Sequence, residues 1–382
     1  MSDCIPNEVV IEILSRLPVK SLIRFKCVSR TWRSLISSPH FIAAHLHFAL
    51  SNTQHPPYLL FRHYDGQHKK DCFPLPSSGE NGVFFAYPSD FIELRYPHKS
   101  INQSFTIVGS SNGLLCLNIL YNDGYVFWNP SIRKATSLPD PSIRFSSHGP
   151  FLHSLGFGYD PTTDDYKLVR VVYLEPEGTS GVSFDAVPPL VEIYTLRTSA
   201  WRFVTAPGPP YVVDEWPLSV FVNGAVHWLA HTPWNKGAFR NVIVSFDMGD
   251  EAFHEMALPE SLRGSEHLNV TVAVLDGLLA LAPCNGWWGE EPYSVWVMKE
   301  YGVVESWTKQ FDVDVREGLG RVVAFRRKGG VPVNKAGELV SHEPSRQRIL
   351  DLPIYGLTES FYLSTYVESL VLLNIADGVL ER

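Results

Sequence analysis

From Tyr58 onward the chain is a succession of short apolar and aromatic runs, separated by glycine, proline, asparagine and aspartate. Runs of roughly four to eight such residues predict β-strands. An Asn-Gly or Asp-Gly pair between two runs predicts a tight hairpin, and such pairs occur at Asn112-Gly113, Asn223-Gly224 and Asp276-Gly277. The body of the protein is therefore expected to be mainly β.

The strand pattern repeats in units of ~40–50 residues, each with four predicted strands, and several close near a Leu-Pro pair. The units cover 105–139, 155–205, 219–259, 270–311 and 321–353. Four strands at this period are typical of a β-propeller blade. A further, split blade is expected from Tyr58–Pro76 and Phe361–Leu373, because strands from both ends would close the ring and remove exposed sheet edges. Six blades are thus predicted, with a large two-sheet barrel-like fold as the alternative.

Residues 1–46 follow the period of helices instead. Apolar residues at i, i+3, i+4 and i+7 predict one face of a first helix, formed by Val10, Ile13, Leu14 and Leu17. Pro6 suits its first turn, where a missing N–H costs nothing, and Pro18 ends it. A second short helix is predicted over about 20–26, and a third between the capping residue Ser29 and Pro39.

This helical segment is small for the number of apolar side chains it carries. A unit of this size buries only about 60% of its unfolded surface and is marginal alone. A surplus of apolar groups on a small helical unit indicates a surface for a partner.

The order of residues in the segment resembles the F-box, the helical module that docks on a Skp1-type adaptor. The resemblance is carried by Ile5-Pro6, Glu8, Ile13-Leu14, Leu17-Pro18, Leu22, Val28-Ser29, Trp32 and Leu35-Ile36. It implies adaptor contacts at Ile5, Pro6, Ile13, Leu14, Leu17, Pro18, Leu22, Val28 and Trp32. Some of these are expected to be core residues instead, Val28 and Trp32 above all. The alternative interpretation is an ordinary helical cap on a β domain.

The body resembles the F-box-associated domain of plant F-box proteins, which is similar to kelch-type propellers. The segments that carry this resemblance are Gly109–Cys116, Trp128–Lys134, Gly156–Val169, Asn223–Trp228, Ile243–Asp247 and Tyr366–Leu370. The strict kelch pattern, paired glycines followed by spaced Tyr and Trp, is absent from the sequence. The expected organisation is an F-box at 1–46, a linker at 47–57 and a propeller for substrate recognition at 58–382.

Charge is distributed unevenly along the chain. Residues 1–50 contain six Lys or Arg and three acidic residues, whereas the remainder contains 26 and 37. The basic head suits an acidic partner, and the acidic body argues against nucleic acid as the main ligand.

The five cysteines are scattered without a C-x-x-C pair, which favours neither a disulfide framework nor a zinc site. With no apolar run of ~20 residues and no signal-peptide pattern, the expected location is cytoplasmic and/or nuclear, without membrane binding.

Four motifs that resemble chemical sites are interpreted as structural. Gly109–Gly113 fits the G-x-S-x-G nucleophile elbow, but a strand rather than a helix is predicted to follow. His227 and His231 are spaced i, i+4 on a predicted strand, where they lie about 13 Å apart. Gly156–Gly158 precedes a turn, and Asp160, Asp164 and Asp165 lack the spacing of a calcium loop. No catalytic residue, metal or cofactor is therefore expected.

Tryptophans recur at similar places in the repeats, at Trp128, Trp201, Trp228, Trp296 and Trp307. They are expected to pack between blades. Trp287 and Trp288 are neighbours between glycines, so strand alternation cannot bury both. We hypothesise that these two, with Trp216 and Trp234 in other loops, contact the substrate.

The two resemblances together imply the substrate-recognition subunit of an SCF-type (Skp1–cullin–F-box) E3 ubiquitin ligase. The adaptor would connect the chain to cullin and RING subunits, and a separate E2 enzyme would transfer ubiquitin to a protein target that the sequence does not name. Two other classes stay open: an adaptor-binding scaffold or inhibitor, and a propeller enzyme such as a glycan-processing hydrolase.

Overall fold

A computed structural model describes residues 6–51, 58–65, 70–72, 74–76, 91–93, 105–120, 124–175, 188–213, 219–233, 239–263, 270–283, 293–313, 319–322, 331–335, 337–343, 348–357 and 360–375. The helices are α1 Asn7–Ser15, α2 Val19–Phe25, α3 Arg30–Ile36, α4 Pro39–Ser51 and α5 Phe145–His148.

The strands of the first half are β1 Tyr58–Asp65, β2 Lys70–Cys72, β3 Pro74–Pro76, β4 Phe91–Glu93, β5 Phe105–Ser111, β6 Leu114–Ile119, β7 Gly124–Asn129, β8 Lys134–Ser137, β9 Phe151–Asp160, β10 Asp165–Leu174, β11 Leu190–Thr195 and β12 Ala200–Phe203. Those of the second half are β13 Val212–Val213, β14 Val220–Val222, β15 Ala225–His231, β16 Asn241–Asp247, β17 Phe253–Ala257, β18 Val270–Leu275, β19 Leu278–Pro283, β20 Tyr293–Met298, β21 Trp307–Val313, β22 Leu319–Val322, β23 Val331–Lys335, β24 Glu338–Glu343, β25 Arg348–Tyr355 and β26 Tyr362–Tyr366.

These strands form successive antiparallel sheets in chain order, which is the organisation of propeller blades. Four sheets have four strands, β5 to β8, β9 to β12, β18 to β21 and β22 to β25, and β13 to β17 form a sheet of five. The mainly β, propeller-like prediction is confirmed. The prediction of six four-stranded blades is corrected, because four sheets have that form in the described part of the chain.

The two ends of the body share a sheet, with strand order β2-β1-β26, as the split-blade pattern predicts. The second strand predicted near the end, Leu370–Leu373, is wrong. This run is a turn in which the Leu373 amide donates to the Leu370 carbonyl over 2.9 Å, and Leu372 has a φ of 73°. A left-handed residue inside the run is incompatible with a continuous strand.

The hairpin predictions are confirmed at all three Asn-Gly or Asp-Gly pairs. Asn112 and Gly113, between β5 and β6, have φ values of 50° and 79°. The Asn223 and Asp276 pairs have the same signs and nearly the same values. Two consecutive positive φ angles define the type I′ turn, whose twist matches that of the flanking strands.

The chain divides into two compact units. Unit 1 comprises residues 1–61, 73–138 and 364–382, and unit 2 comprises 62–72 and 139–363. The helical segment therefore belongs to the same unit as the sheet β5 to β8 and the last described residues, rather than forming a unit of its own.

In unit 1, helices α1 to α4 enclose a common core formed by Leu14, Val19, Leu22, Ile36, Phe41, Ile42 and Leu370. The helix starts follow from local chemistry: the Ser29 hydroxyl accepts from the Trp32 amide at the start of α3 over 3.1 Å. Three helices were predicted and α4 was missed. Pro39 is the first residue of α4, a position that proline favours. Because α4 runs to Ser51, it includes the first five residues of the predicted linker 47–57.

In unit 2, tryptophans connect neighbouring sheets as predicted. Trp228 of β15 is 1% exposed and its indole N–H donates to the Leu155 carbonyl of β9 over 2.9 Å. Gly156 makes room for it, since a Cβ there would lie 2.5 Å from the indole ring. Trp307 of β21 likewise donates to the Ala257 carbonyl of β17 over 3.0 Å.

Trp201 has a different role from the one predicted. It is half-buried, and its ring lies 5.9 Å from the guanidinium of Arg170, which is fully buried and paired with Glu192. Its indole N–H donates to the Pro139 carbonyl over 2.8 Å. Trp201 thus covers a buried ion pair within one sheet.

Trp128 is buried in unit 1, and Trp296 packs against the core between β15 and β21.

We expect Trp228→Phe to lower the free energy of unfolding by about 1–3 kcal/mol, because it removes a buried hydrogen bond and leaves a cavity between two sheets. Urea denaturation followed by circular dichroism measures this. Val303→Ala, at a side chain that is 40% exposed, is the control and should change little. Equal stability of Trp228→Phe and wild type would contradict the assigned role of Trp228.

Candidate functional site

Helix α1 presents two apolar faces. Its inner face, Val10, Leu14 and Leu17, packs in the helical core. Pro6, Val9 and Ile13 are exposed at i, i+3 and i+7, which places them together on the outer face. Val9 is 43% exposed and Ile13 is 51% exposed. The apolar spacing grouped Ile13 with Val10, Leu14 and Leu17 on one face, whereas the structure separates it from these core residues.

A further exposed apolar side chain follows α2. Val28 is 65% exposed, although it was one of the two residues most expected to lie in the core. Trp32, the other one, is half-buried and packs edge-on against Phe25, with ring centroids 5.4 Å apart. Pro6, Val9, Ile13 and Val28 are called the outer apolar set below.

The remaining predicted adaptor contacts divide by burial. Leu14 and Leu22 are 2% and 0% exposed, so they hold the helices together from inside. Leu17 is half-buried and Pro18 is exposed at the start of α2. Ile5 lies outside the described residues. Val9 was missed by the sequence analysis, although its i, i+4 spacing from Ile13 was a signal that could have found it.

The exposed charged residues of the helical segment are mostly basic. Lys20, Arg24, Arg30 and Arg33 are exposed, and Glu8 and Glu12 are the acidic residues of the segment 6–51. Glu12 is paired with Arg16 over 2.8 Å. The pKa of Lys26 is lowered first by partial burial and then by the positive charges of Arg33 and Lys134. An acidic partner surface would relieve this repulsion.

His45 fastens α4 to the end of α1. It is 5% exposed and its Nε2 donates to the Leu17 carbonyl over 3.1 Å, whereas Nδ1 has no hydrogen-bond partner in the described structure. Burial lowers the pKa of His45, and the Leu17 carbonyl offsets this only in part. The neutral imidazole is therefore the form that the helical core accepts.

The motifs that resemble chemical sites have structural roles. Ser111 is buried at the end of β5 and is followed by the hairpin and β6. His227 is buried and shares a 2.8 Å hydrogen bond with the Tyr301 hydroxyl, and burial lowers its pKa to about 4. The buried ammonium of Lys167 lies 2.8 Å from Asp160.

The charge state of Asp160 follows from this contact. Burial alone raises its pKa, but hydrogen bonds from Lys167, Thr163 and the Thr162 amide outweigh that effect and leave the pKa below its ordinary value.

Within the described residues, no group of three or more His, Cys, Asp or Glu side chains could hold a metal ion.

None of the described helices is long and apolar enough to cross a membrane. The four tryptophans proposed to contact a substrate, Trp216, Trp234, Trp287 and Trp288, lie outside the described residues, so that hypothesis stays a prediction.

Comparison with known families decides what this arrangement is. Residues 2–43 match the F-box domain, and residues 88–337 match the F-box associated beta propeller domain. The chain belongs to the F-box proteins with an associated β-propeller domain.

Several Arabidopsis thaliana F-box proteins are similar over most of the chain. F-box protein CPR1 is 32% identical over 81% of this chain and 73% of its own length. F-box/kelch-repeat protein At3g23880 is 30% identical over 81% and 79%. F-box protein At3g07870 is 27% identical over 96% and 92%. The F-box implies an adaptor of the Skp1 type as the partner of the helical segment of this F-box protein.

We expect the F-box helices to lose stability as pH falls. The pKa of His45 is lower in the folded than in the unfolded protein, so the unfolded state binds more protons. The contribution of neutral His45 to the stability of the helices is therefore complete above about pH 6.5 and declines below it. Hydrogen exchange of α1 and α4 amides at pH 7 and pH 5, corrected for intrinsic rates, measures the loss. His45→Gln should reduce this pH dependence.

His47→Gln, at an exposed histidine of the same helix, is the matched control and should behave as wild type. A pH dependence of exchange that persists unchanged in His45→Gln would show that His45 is not its source.

Proposed function

We propose that this F-box protein is the substrate-recognition subunit of an SCF-type E3 ubiquitin ligase, which recruits a target protein for ubiquitination and degradation. The observation that carries the proposal is the outer apolar set. These side chains remain exposed on helices whose core is already filled, within the segment that matches the F-box.

The energetics suit a docking surface. Full burial of an aliphatic side chain is worth about 1.5–3 kcal/mol, so Ile13 and Val28 together supply a useful share of a micromolar or tighter affinity. The exposed cations around them would steer an acidic adaptor surface and fix its orientation. This charge also makes association faster at low ionic strength.

The mechanism in this proposal is proximity. The F-box helices bind the adaptor, and the adaptor connects to cullin and RING subunits. The propeller holds the target, so that an E2-bound ubiquitin meets target lysines at high effective concentration. The chain itself is a receptor and not an enzyme, and it acts in the cytoplasm and/or nucleus.

We expect Ile13→Glu combined with Val28→Glu to abolish capture of a purified Skp1-type adaptor. Each change introduces a carboxylate into a surface that must be desolvated on binding, without touching the helical core. A pull-down with the full chain, backed by calorimetry, measures the loss.

Val303→Glu, at a comparably exposed apolar side chain of unit 2, is the matched control and should bind as wild type. Because Leu14 is buried, Leu14→Glu is unsuitable here: it would unfold the helices and remove binding for a trivial reason. Equal capture by wild type and the double variant would overturn the assignment of this surface.

Reconstituted ubiquitination separates a ligase receptor from an adaptor-binding scaffold or inhibitor. With adaptor, cullin, RING, E1 and E2 present, we expect ubiquitin to be attached to lysines of the receptor chain itself, because they are held near the E2. The Ile13→Glu, Val28→Glu variant should lose this modification. Adaptor binding without any modification would favour the scaffold.

A further inference from the structure

The segment Ser364–Ile375, called the C-terminal strap, belongs to unit 1 together with the F-box helices and the sheet β5 to β8. It begins in β26, continues in extended form and ends in the turn around Leu372. Leu370 is 0% exposed and is part of the core of the F-box helices, and Leu373 packs against that core. The strap thus supplies an interior residue to a domain encoded at the opposite end of the chain.

One buried side chain fastens the strap to the sheet. Asn129, at the end of β7, is 0% exposed. Its amide N–H groups donate to the Ser369 carbonyl over 3.0 Å, the Ser369 hydroxyl over 3.2 Å and the Val371 carbonyl over 2.8 Å. Its side-chain oxygen accepts from the Ser131 amide over 3.0 Å. These contacts bracket Leu370 on both sides and fix where it lies.

Two further contacts hold the strap before Leu370. The Tyr366 hydroxyl is 2.5 Å from the Ser131 hydroxyl and accepts from the Ser131 amide over 3.2 Å. The hairpin turn at Gly113 lies so close that a Cβ there would be 2.3 Å from the Val367 carbonyl oxygen. The strap is therefore seated against the sheet without room for displacement at this point.

The strap also contacts the helices by charge. The Glu368 carboxylate lies near the Val19 amide, at the first residue of α2, and near Lys20. Burial raises the pKa of Glu368, and these two contacts offset the increase in part. Lys134 donates to the Ile375 carbonyl at the far end of the strap.

We propose that the C-terminal strap is the positioning element of the adaptor-binding helices, and that Asn129 is its key positioning residue. Asn129 belongs to none of the F-box helices and is fully buried, so it acts through the segments that it holds. It sets the packing of Leu370 in the strap, and it caps the turn Pro130–Ile132, whose Ile132 also packs against the core of the helices. Adaptor binding and strap seating are then thermodynamically linked, and each stabilises the other. This inference rests on the proposed adaptor-binding function.

The test compares adaptor affinity and hydrogen exchange in full-length variants. Asn129→Ala should bind the adaptor about tenfold more weakly, because loss of several buried hydrogen bonds lowers the population of seated strap. In the free protein it should also speed exchange of α1 to α3 amides. Tyr366→Phe keeps the ring and removes only the two hydroxyl contacts with Ser131, so it should give a smaller change of the same sign. It provides the test if Asn129→Ala folds poorly.

Trp307→Phe is the matched control, since it also removes a buried side-chain to main-chain hydrogen bond but lies in unit 2. It should lower the melting temperature and leave adaptor affinity unchanged. If the role of Asn129 were purely structural, Asn129→Ala would likewise lower the melting temperature and leave adaptor affinity unchanged. Unchanged affinity and exchange in Asn129→Ala and Tyr366→Phe would overturn the inference. If the wild-type protein did not bind the adaptor, the proposed function would be overturned instead. Hydrogen exchange of the α1 to α3 amides in the variants would still test whether the strap positions the helices.

Discussion

The core of the F-box helices depends on a side chain that does not belong to them. Four short helices offer little interior, and Leu370 takes a fully buried position among Leu14, Leu22 and Phe41. The hydrogen bonds on either side of Leu370 come from Asn129 at the end of β7. Because the inner faces are filled in this way, the outer apolar set remains free for a partner. The division of α1 into a core face and an exposed apolar face follows from this one packing arrangement.

The β body is stabilised by contacts between successive sheets. Trp228 and Trp307 each donate to a carbonyl of the neighbouring sheet, so the same side chain supplies both apolar area and a satisfied polar group. Buried charges are neutralised locally, as Lys167 is by Asp160 and Arg170 by Glu192. Each sheet of the body is therefore held to the next by contacts that satisfy its buried polar groups.

Much of the fold could be predicted from local chemistry. The Asn112-Gly113 pair determines its hairpin because few other residues adopt two consecutive positive φ angles. The helix starts follow from Ser29 and the prolines. The apolar spacing alone did not separate the exposed Ile13 from the core residues Leu14 and Leu17, because an exposed apolar side chain looks the same in sequence as a buried one. Likewise Leu370–Leu373 reads as a strand, and only its long-range contacts with Asn129 and the helices make it a turn.

The position of the strap has a consequence for biosynthesis. A ribosome makes the F-box helices first, and Leu370 is added only after the sheets β5 to β25 have been synthesised. At elongation rates of about 5–20 residues per second, the helices wait on the order of 15–65 s for the residue that completes their core. A chain that stops before Leu370 therefore lacks one buried residue of the helical core. Completion of the first domain is in this way tied to a segment that follows the sheets of the body.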